Sequence, residues 1–426
     1  MAKSFFRLRY RRNGPCSFRV RTEIEKAGAN DESRAWYMTK RYRVCLWGSD
    51  SPYCWEHVKE FGDEFDMFSI VIGRTFGYKF DIRIVSPFRR KPLSTIFGVL
   101  NIARITYLFL RYDRKCDCHL VHYLSLPYAL AIAFLPLRKP IVYCAYGSDV
   151  RAPRGITKRV VGKALGRIDT IISGITRSFR TQYIMSKYGV DANKIVSPLM
   201  WYPVNPCFRR LDNPTIGNLR KKWNLTKEYV IFSPRSTEEF YNQHLLVEGA
   251  GLLSGELKGK IQVVLTGLGD PEYRKRLAEM GRQRGVDVVD LGRILTPDEM
   301  AEIYNISVLT PHISKEPDLG RSTFEAVMCG SILLLNKNSE PYREVFRDGK
   351  YCRLVEVSAE DIARGIEYIL SNANALKDEG ERLRITETVN WERNKARIVG
   401  CVKALIQEKV RNGARQPRTD QDSNRG

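Results

Sequence analysis

The densest run of groups able to do chemistry is Lys315-Glu316-Pro317-Asp318-Leu319-Gly320-Arg321-Ser322-Thr323-Phe324-Glu325-Ala326-Val327-Met328-Cys329-Gly330-Ser331, followed by the apolar stretch 332–335. Gly320 opens a predicted helix whose free N–H groups can face phosphate or sugar oxygens. Glu325 lies a turn and a half further on, where its carboxylate can bond a ribose diol. Acid, glycine and acid around one helix start is more than a plain core helix requires. Upstream, Pro234-Arg235 follows an apolar run, with Tyr241-Asn242 shortly after. An arginine in that place is a fixed planar cation suited to the paired oxygens of a pyrophosphate, although any one arginine could equally serve a surface ion pair. The run 263–266 ends in Gly267-Leu268-Gly269, which fits a tight turn beside a ligand.

The first half of the chain offers a looser set. Gly48-Ser49-Asp50-Ser51-Pro52 is a turn into a helix, where glycine admits a ligand to the backbone and the helix start favours anions. Tyr146-Gly147-Ser148-Asp149 follows another apolar run. No G-x-G-x-x-G occurs, which disfavours a dinucleotide fold of that kind. His119 and His122 stand three apart in a predicted strand, so they face opposite ways and read as structural or cleft-lining groups rather than metal ligands. Asp420-Gln421-Asp422 lies in a polar tail and is set aside as a metal motif. The ten cysteines include one C-x-C, Cys116 and Cys118, and no C-x-x-C, so reduced and mostly buried thiols are expected.

The elements that must position these residues follow from the pattern. Short apolar runs ended by Gly, Ser, Asp or Pro alternate with amphipathic stretches, which predicts repeated β-α units and parallel sheets. Strands are predicted at 42–47, 82–85, 120–123, 141–145 and 170–173, then at 229–233, 261–266, 286–291, 307–310 and 332–336. Two helices carry start signals: Thr296 with Pro297 and Glu299, and Ser358 with Asp361. The fold class is α/β, two tandem Rossmann-like doubly wound domains with a C-terminal helix and a basic N-terminal arm. The expected divisions are a basic extension 1–40, a first domain 41–205, a second 206–388, a helix 389–411 returning to the first domain, and a disordered tail 412–426. In such sheets ligands sit at the carboxyl ends of the strands, where the residues above fall.

The 426 residues carry 70 Lys+Arg against 48 Asp+Glu, net +22, with 43% hydrophobic residues, which excludes a disordered or disulfide-framework chain. Residues 1–200 hold 35 basic and 16 acidic residues, so nearly all the excess charge is in the first half. That asymmetry points to an anionic partner: a membrane surface, nucleic acid or an acidic substrate. Arg151, Arg154, Lys158, Arg159, Lys163 and Arg167 cluster around one predicted helix. No apolar run is long enough to cross a bilayer, and the N-terminus lacks the apolar core of a signal peptide. The expected location is the cytoplasm, with peripheral attachment to the inner face of a membrane.

These residues carry a resemblance. The C-terminal half resembles the family 4 glycosyltransferases, which have the two-lobed GT-B fold, through Glu325-Ala326-Val327-Met328-Cys329-Gly330 and the strand that follows. The matches include Ser233-Pro234-Arg235 with Tyr241-Asn242, Gly267 and Gly269, Leu291-Gly292-Arg293, and Glu344-Val345 with Asp348-Gly349. The first half is similar more loosely, through His122 and Gly147-Ser148-Asp149.

The resemblance implies a retaining hexosyltransferase with a nucleotide-sugar donor, no cofactor and no required metal. Arg235 and Glu316 would be the catalytic pair. Arg235, Asn242, Gly320, Arg321, Ser322 and Glu325 would hold the donor, with Gly48, His122, Tyr146 and Asp149 on the acceptor side. The chain departs from the family pattern in three places. The first acid falls by strict count on Pro317, so Glu316 substitutes only with a one-residue bulge. A lysine is replaced by the Tyr241-Asn242 arrangement, and a histidine by Tyr146. A lipid-linked glycan or other glycan at an anionic membrane is the favoured acceptor. The alternatives are a soluble glycan, protein or nucleic acid acceptor, or a catalytically degenerate binder of anionic polymers, with nucleic acid the weaker partner.

Overall fold

A computed structural model describes residues 41–415 apart from 74–77, 86–92, 147, 175–178, 199, 201, 267–268 and 316–318. The basic extension and the tail beyond Arg415 lie outside the described residues. The chain divides into two compact units: Met1–Ile172 with Tyr188–Val196 and Lys395–Gly426, and Ser173–Lys187 with Ser197–Asn394.

In the first unit β1 (Arg43–Ser49), β2 (Asp66–Ile72), β3 (Ile82–Ile84), β4 (Cys118–His122), β5 (Ile141–Cys144), β6 (Thr170–Ile172) and β7 (Ile195–Val196) form one parallel sheet in the order β3-β2-β1-β4-β5-β6-β7. The order reverses between β1 and β4, the place where a doubly wound sheet opens to ligands. Every residue of β4 and β5 is buried, as expected of parallel strands covered by helices on both faces. Beneath the sheet Trp47 stacks on Phe109 at 3.7 Å between ring centroids. His119 is spent here: its Nδ1 accepts from Trp47 Nε1 at 3.0 Å, which leaves Nε2–H to donate to Asp113 at 3.1 Å. Burial holds its pKa below the ordinary histidine value. The last helix, Trp391–Arg415, buries Ile398, Val399, Val402 and Ile406, and ties to this unit through Lys403–Glu64 at 2.7 Å and Lys409–Asp169 at 3.0 Å.

The second unit repeats the winding with β8 (Tyr229–Ser233), β9 (Ile261–Leu265), β10 (Asp287–Asp290), β11 (Leu309–His312), β12 (Ile332–Asn336) and β13 (Cys352–Val355), all parallel, in the order β10-β9-β8-β11-β12-β13. Alternate residues serve two cores. Val230, Phe232, Leu333 and Leu335 pack with Phe324 and Tyr304 on one face, while Ile231, Ile332 and Leu334 pack with Ile362 and Ile366 on the other. The predicted helix starts are present: Thr296 and Glu299 form a reciprocal capping box, and Ser358 accepts from the Asp361 backbone N–H. β2, β7 and β13 were not expected from the sequence, and the C-terminal helix runs past 411 to Arg415.

Candidate functional site

In the second unit the strand order turns at β8 and β11, and these two strands share a single register pair, Leu309 with Ile231. The pairing ends there, at the turn in strand order beyond which doubly wound sheets bind ligands. Arg235 follows β8, and His312 closes β11.

Arg235 is held from two sides. Its carbonyl accepts from Thr266 Oγ1 at 3.0 Å, and the Thr266 carbonyl accepts from Thr237 Oγ1 at 2.9 Å, so the loops after β8 and β9 are laced together. Its guanidinium donates to Tyr241 Oη at 3.1 Å, with Cζ 4.8 Å from the centre of the Tyr241 ring. The other end of the fork reaches Gly320, where an added Cβ would sit 3.1 Å from Arg235 Nη1. Gly320 is the N-cap of the helix Arg321–Met328 and makes no side-chain cap, which leaves the first N–H groups for another acceptor. A guanidinium, a helix start and its macrodipole thus converge on one point, an arrangement that favours phosphate.

Two buried polar atoms at the same place have no hydrogen-bond partner among the described residues: His312 Nε2 and Ser322 Oγ, on residues 6% and 8% exposed. Unpaired polar atoms at such depth are rare because burial costs about 1–3 kcal/mol for each. Burial and the charge of Arg235 push the His312 pKa down to about 3, so the ring is neutral and able to share a proton with a ligand oxygen.

Glu325, 5% exposed, pairs with Arg321 Nε at 2.9 Å and accepts from Tyr304 Oη at 3.3 Å. Burial raises its pKa against the pull of Arg321, Tyr304 and Arg235. Arg321 also lies over the Tyr202 ring at 5.4 Å. Asn242 stands apart in role. It adopts a left-handed φ of 57°, joins a short 3-10 turn to the helix Gln243–Leu252, and donates from Nδ2 to the Ile313 carbonyl at 2.8 Å. Its amide is spent on the frame of the site. Glu316, Pro317 and Gly267 lie outside the described residues.

Gly269 has φ +113°, and an added Cβ would stand 2.3 Å from the Thr237 carbonyl oxygen. This glycine is required by the meeting of two backbones. His312, Tyr304 and the Thr237–Thr266 lacing were missed from sequence; the rule that ligands follow strand ends finds His312 once β11 is extended by two residues.

In the first unit, Gly48 is covered: an added Cβ would meet Cys54 Sγ at 2.4 Å and His122 Cβ at 3.1 Å. The missing side chain makes room for the helix Pro52–Phe61. His122 is fully buried, its Nδ1 2.9 Å from Tyr146 Oη, and burial beside His57 holds its pKa well below the ordinary value. Asp149 accepts from the Leu124 N–H at 3.0 Å and from Tyr143 Oη. The structure therefore brings His122 to Tyr146, which is half-buried, and sets Asp149 to hold the turn after β4; Gly147 lies outside the described residues. His57, His122 and Cys144 offer ligand atoms within 4.8 Å of one another, all buried, the one grouping among the described residues able to surround a cation.

Residues 216–385 match the family model for glycosyl transferases group 1, and this stretch contains Arg235, His312, Gly320 and Glu325. No curated protein sequence matches the chain significantly. Among solved structures, Anabaena HepE in complex with UDP has a TM-score of 0.62 at 15% identity, covering 87% of this chain and 100% of its own. A glycosyltransferase from Rickettsia africae has a TM-score of 0.64 at 17% identity, covering 88% and 100%. Sucrose-phosphate synthase from Thermosynechococcus elongatus reaches 0.66 at 14%, with the same coverage. At these identities the likeness is one of fold, and the fold is GT-B. Residues 216–385 thus form a glycosyltransferase domain on that fold.

Proposed function

We propose that the protein moves a sugar, with retention of configuration, from a nucleotide-sugar donor bound by the second unit to an acceptor bound by the first. The acceptor is a lipid-linked or other glycan at the cytoplasmic face of an anionic membrane. The observation that carries the donor reading is the convergence of Arg235, the uncapped helix start at Gly320, and the unpaired polar atoms of His312 and Ser322.

When the bond between sugar and diphosphate breaks, the leaving group gains negative charge and the sugar gains oxocarbenium character. A fixed guanidinium and helix N–H groups stabilise that charge more in the transition state than in the ground state. On this reading Arg235 and the helix supply the positive charge, and no metal is needed. Glu325 takes the ribose, exchanging its contact with Arg321 or Tyr304 for the sugar hydroxyls, and Arg321 is then freed toward the phosphates. Glu316 supplies the carboxylate beside the transferred sugar. Solved HepE structures hold UDP and UDP-glucose, so uridine nucleotides are the first to test.

The test is thermal stability against UDP, GDP, ADP, TDP and CMP. A nucleotide at 100 times its Kd adds about 2.7 kcal/mol to the native state. Stabilisation by one nucleotide, weakened in Glu325→Gln, supports the donor site. No stabilisation by any of them overturns it and favours a degenerate binding protein. Arg235→Ala is expected to lower turnover by about 2.7–4 kcal/mol in the barrier with the unfolding transition unchanged; wild-type turnover in this variant would remove Arg235 from the mechanism.

A further inference from the structure

The helix Leu93–Asp113 of the first unit is long and largely apolar, yet its exposed side is not the polar face of an ordinary surface helix. From residue 100 onward the exposed positions are Leu100, Ala103, Arg104, Tyr107, Leu110 and Arg111. At 100° per residue these six fall within about a third of the helix circumference and span about 16 Å of its axis. The opposite side, Ile105, Leu108 and Phe109, is buried in the unit. Leu100, Tyr107 and Leu110 are 54%, 58% and 40% exposed, so three large apolar side chains in one line are left to water. The only charges on that line are arginines, and neither has a carboxylate partner among the described residues. Asp113, the helix's one acid, is buried and bonded to His119 and to the Arg138 and Lys139 N–H groups.

We infer that this face of the helix lies in the headgroup region of an anionic lipid bilayer, with Leu100, Tyr107 and Leu110 inserted and Arg104 and Arg111 on lipid phosphates. The physical match is specific. A helix lying in the interface needs an apolar strip rimmed by cations whose stems can follow the strip while their heads reach phosphate. Tyrosine suits the boundary because its ring is apolar and its hydroxyl stays wet. Two neighbouring helices extend the chemistry. The helix Leu126–Phe134 packs against this one and ends in Phe134, 57% exposed beneath Lys163 Nζ at 4.1 Å. The helix Gly155–Arg167 packs on Leu126–Phe134 in turn, carries Lys158, Arg159, Lys163 and Arg167 without an acid, and exposes Ile156 by 79%. A second copy of the chain is a poorer occupant, since a two-fold pairing of this face would oppose arginine to arginine with no acid to meet them.

This inference rests on the proposed membrane-bound acceptor and is tested apart from the donor site. The full chain is sedimented with phosphatidylglycerol vesicles and with phosphatidylcholine vesicles at low salt. Two surface variants are compared, Leu100→Ser with Leu110→Ser, and Arg104→Gln with Arg111→Gln. Each is first shown to keep the wild-type unfolding transition and the wild-type response to nucleotide. Binding to phosphatidylglycerol alone, reduced about 30-fold by loss of the two arginines and also reduced by the serine pair, is the expected result. Wild-type protein that stays in solution, or variants that bind as well as wild type, overturns the inference. So does a lipid-free dimer that the serine pair converts to monomer, because the face then belongs to a second copy. Loss of nucleotide response in the wild type would sink the donor reading and leave the lipid result standing.

Discussion

A methyl group added at Gly320 would crowd the end of a movable side chain, Arg235 Nη1 at 3.1 Å, and meet Ser322 Oγ at an ordinary 3.6 Å, and the Gly320 φ of −99° suits any residue. Gly320→Ala should therefore fold with a stability change within about 0.5 kcal/mol while displacing the guanidinium and lowering turnover. Unchanged kcat/KM would show that Arg235 does not act at the helix start. Gly269 is the opposite case: its φ of +113° and the 2.3 Å approach to the Thr237 carbonyl admit no Cβ without backbone movement. Gly269→Ala should cost about 1–3 kcal/mol in urea unfolding, and a cost near zero would remove the backbone argument. In the sequence both glycines simply end or begin a loop. Which one a ligand needs and which one the backbone needs depends on the residue facing it across the fold, and spacing alone does not contain that.

At the scale of elements, the capping chemistry was legible and one strand was not. Thr296, Pro297 and Glu299 announce their helix because each satisfies a particular free N–H or needs none. Thr296→Ala should lower stability by about 1 kcal/mol and leave turnover intact, since the helix keeps its buried Ala301, Ile303 and Tyr304; loss of turnover without loss of stability would mean that the cap shapes the site. Strand β11 was expected at 307–310 because Pro311 reads as a stop. The sheet tolerates this proline because the ladder to β8 has ended by then, while register with β12 continues to His312. The two added residues carry the histidine to the carboxyl end of the strand, within reach of the charge of Arg235. Strand β2 escaped notice for a similar reason: it opens on Asp66 and carries Ser69, whose hydroxyl and N–H are both satisfied by Asp81, a partner 12 residues away.

Over the whole molecule, the doubly wound plan was legible in both halves because parallel strands buried on two faces leave plain apolar runs. The charge asymmetry was legible as well, although its pairing with exposed leucine and tyrosine on one helix needed the helix to be placed. The buried histidines set a pH response. His119, His122 and His312 have folded pKa values below the ordinary value of about 6.5, the last at about 3, each because burial penalises its charge. Unfolded chains bind protons there below about pH 6.5 while the folded protein does not, so stability is full above that value and falls as pH drops toward 3. The raised pKa of Glu325 works the other way and offsets part of the loss. Each such histidine contributes up to about 1.4 kcal/mol per pH unit. Urea midpoints at pH 7 and pH 5 should therefore differ, with a smaller difference in His312→Gln; equal midpoints in the wild type would mean that these rings are charged in the fold.

The closing helix also sets an order of events during synthesis. The first unit's sheet is complete once Val196 has emerged, but Ile398, Val399, Val402 and Ile406, which finish its covering, come about 200 residues later. At about 5–20 residues per second a ribosome takes roughly 10–40 s to supply them. Most of the second unit is made in that interval, only its Ser173–Lys187 segment coming earlier, so the unit begun first is finished last. A nascent chain thus exposes the seat of that helix until residues 398–406 emerge, and this is the surface a chaperone would meet.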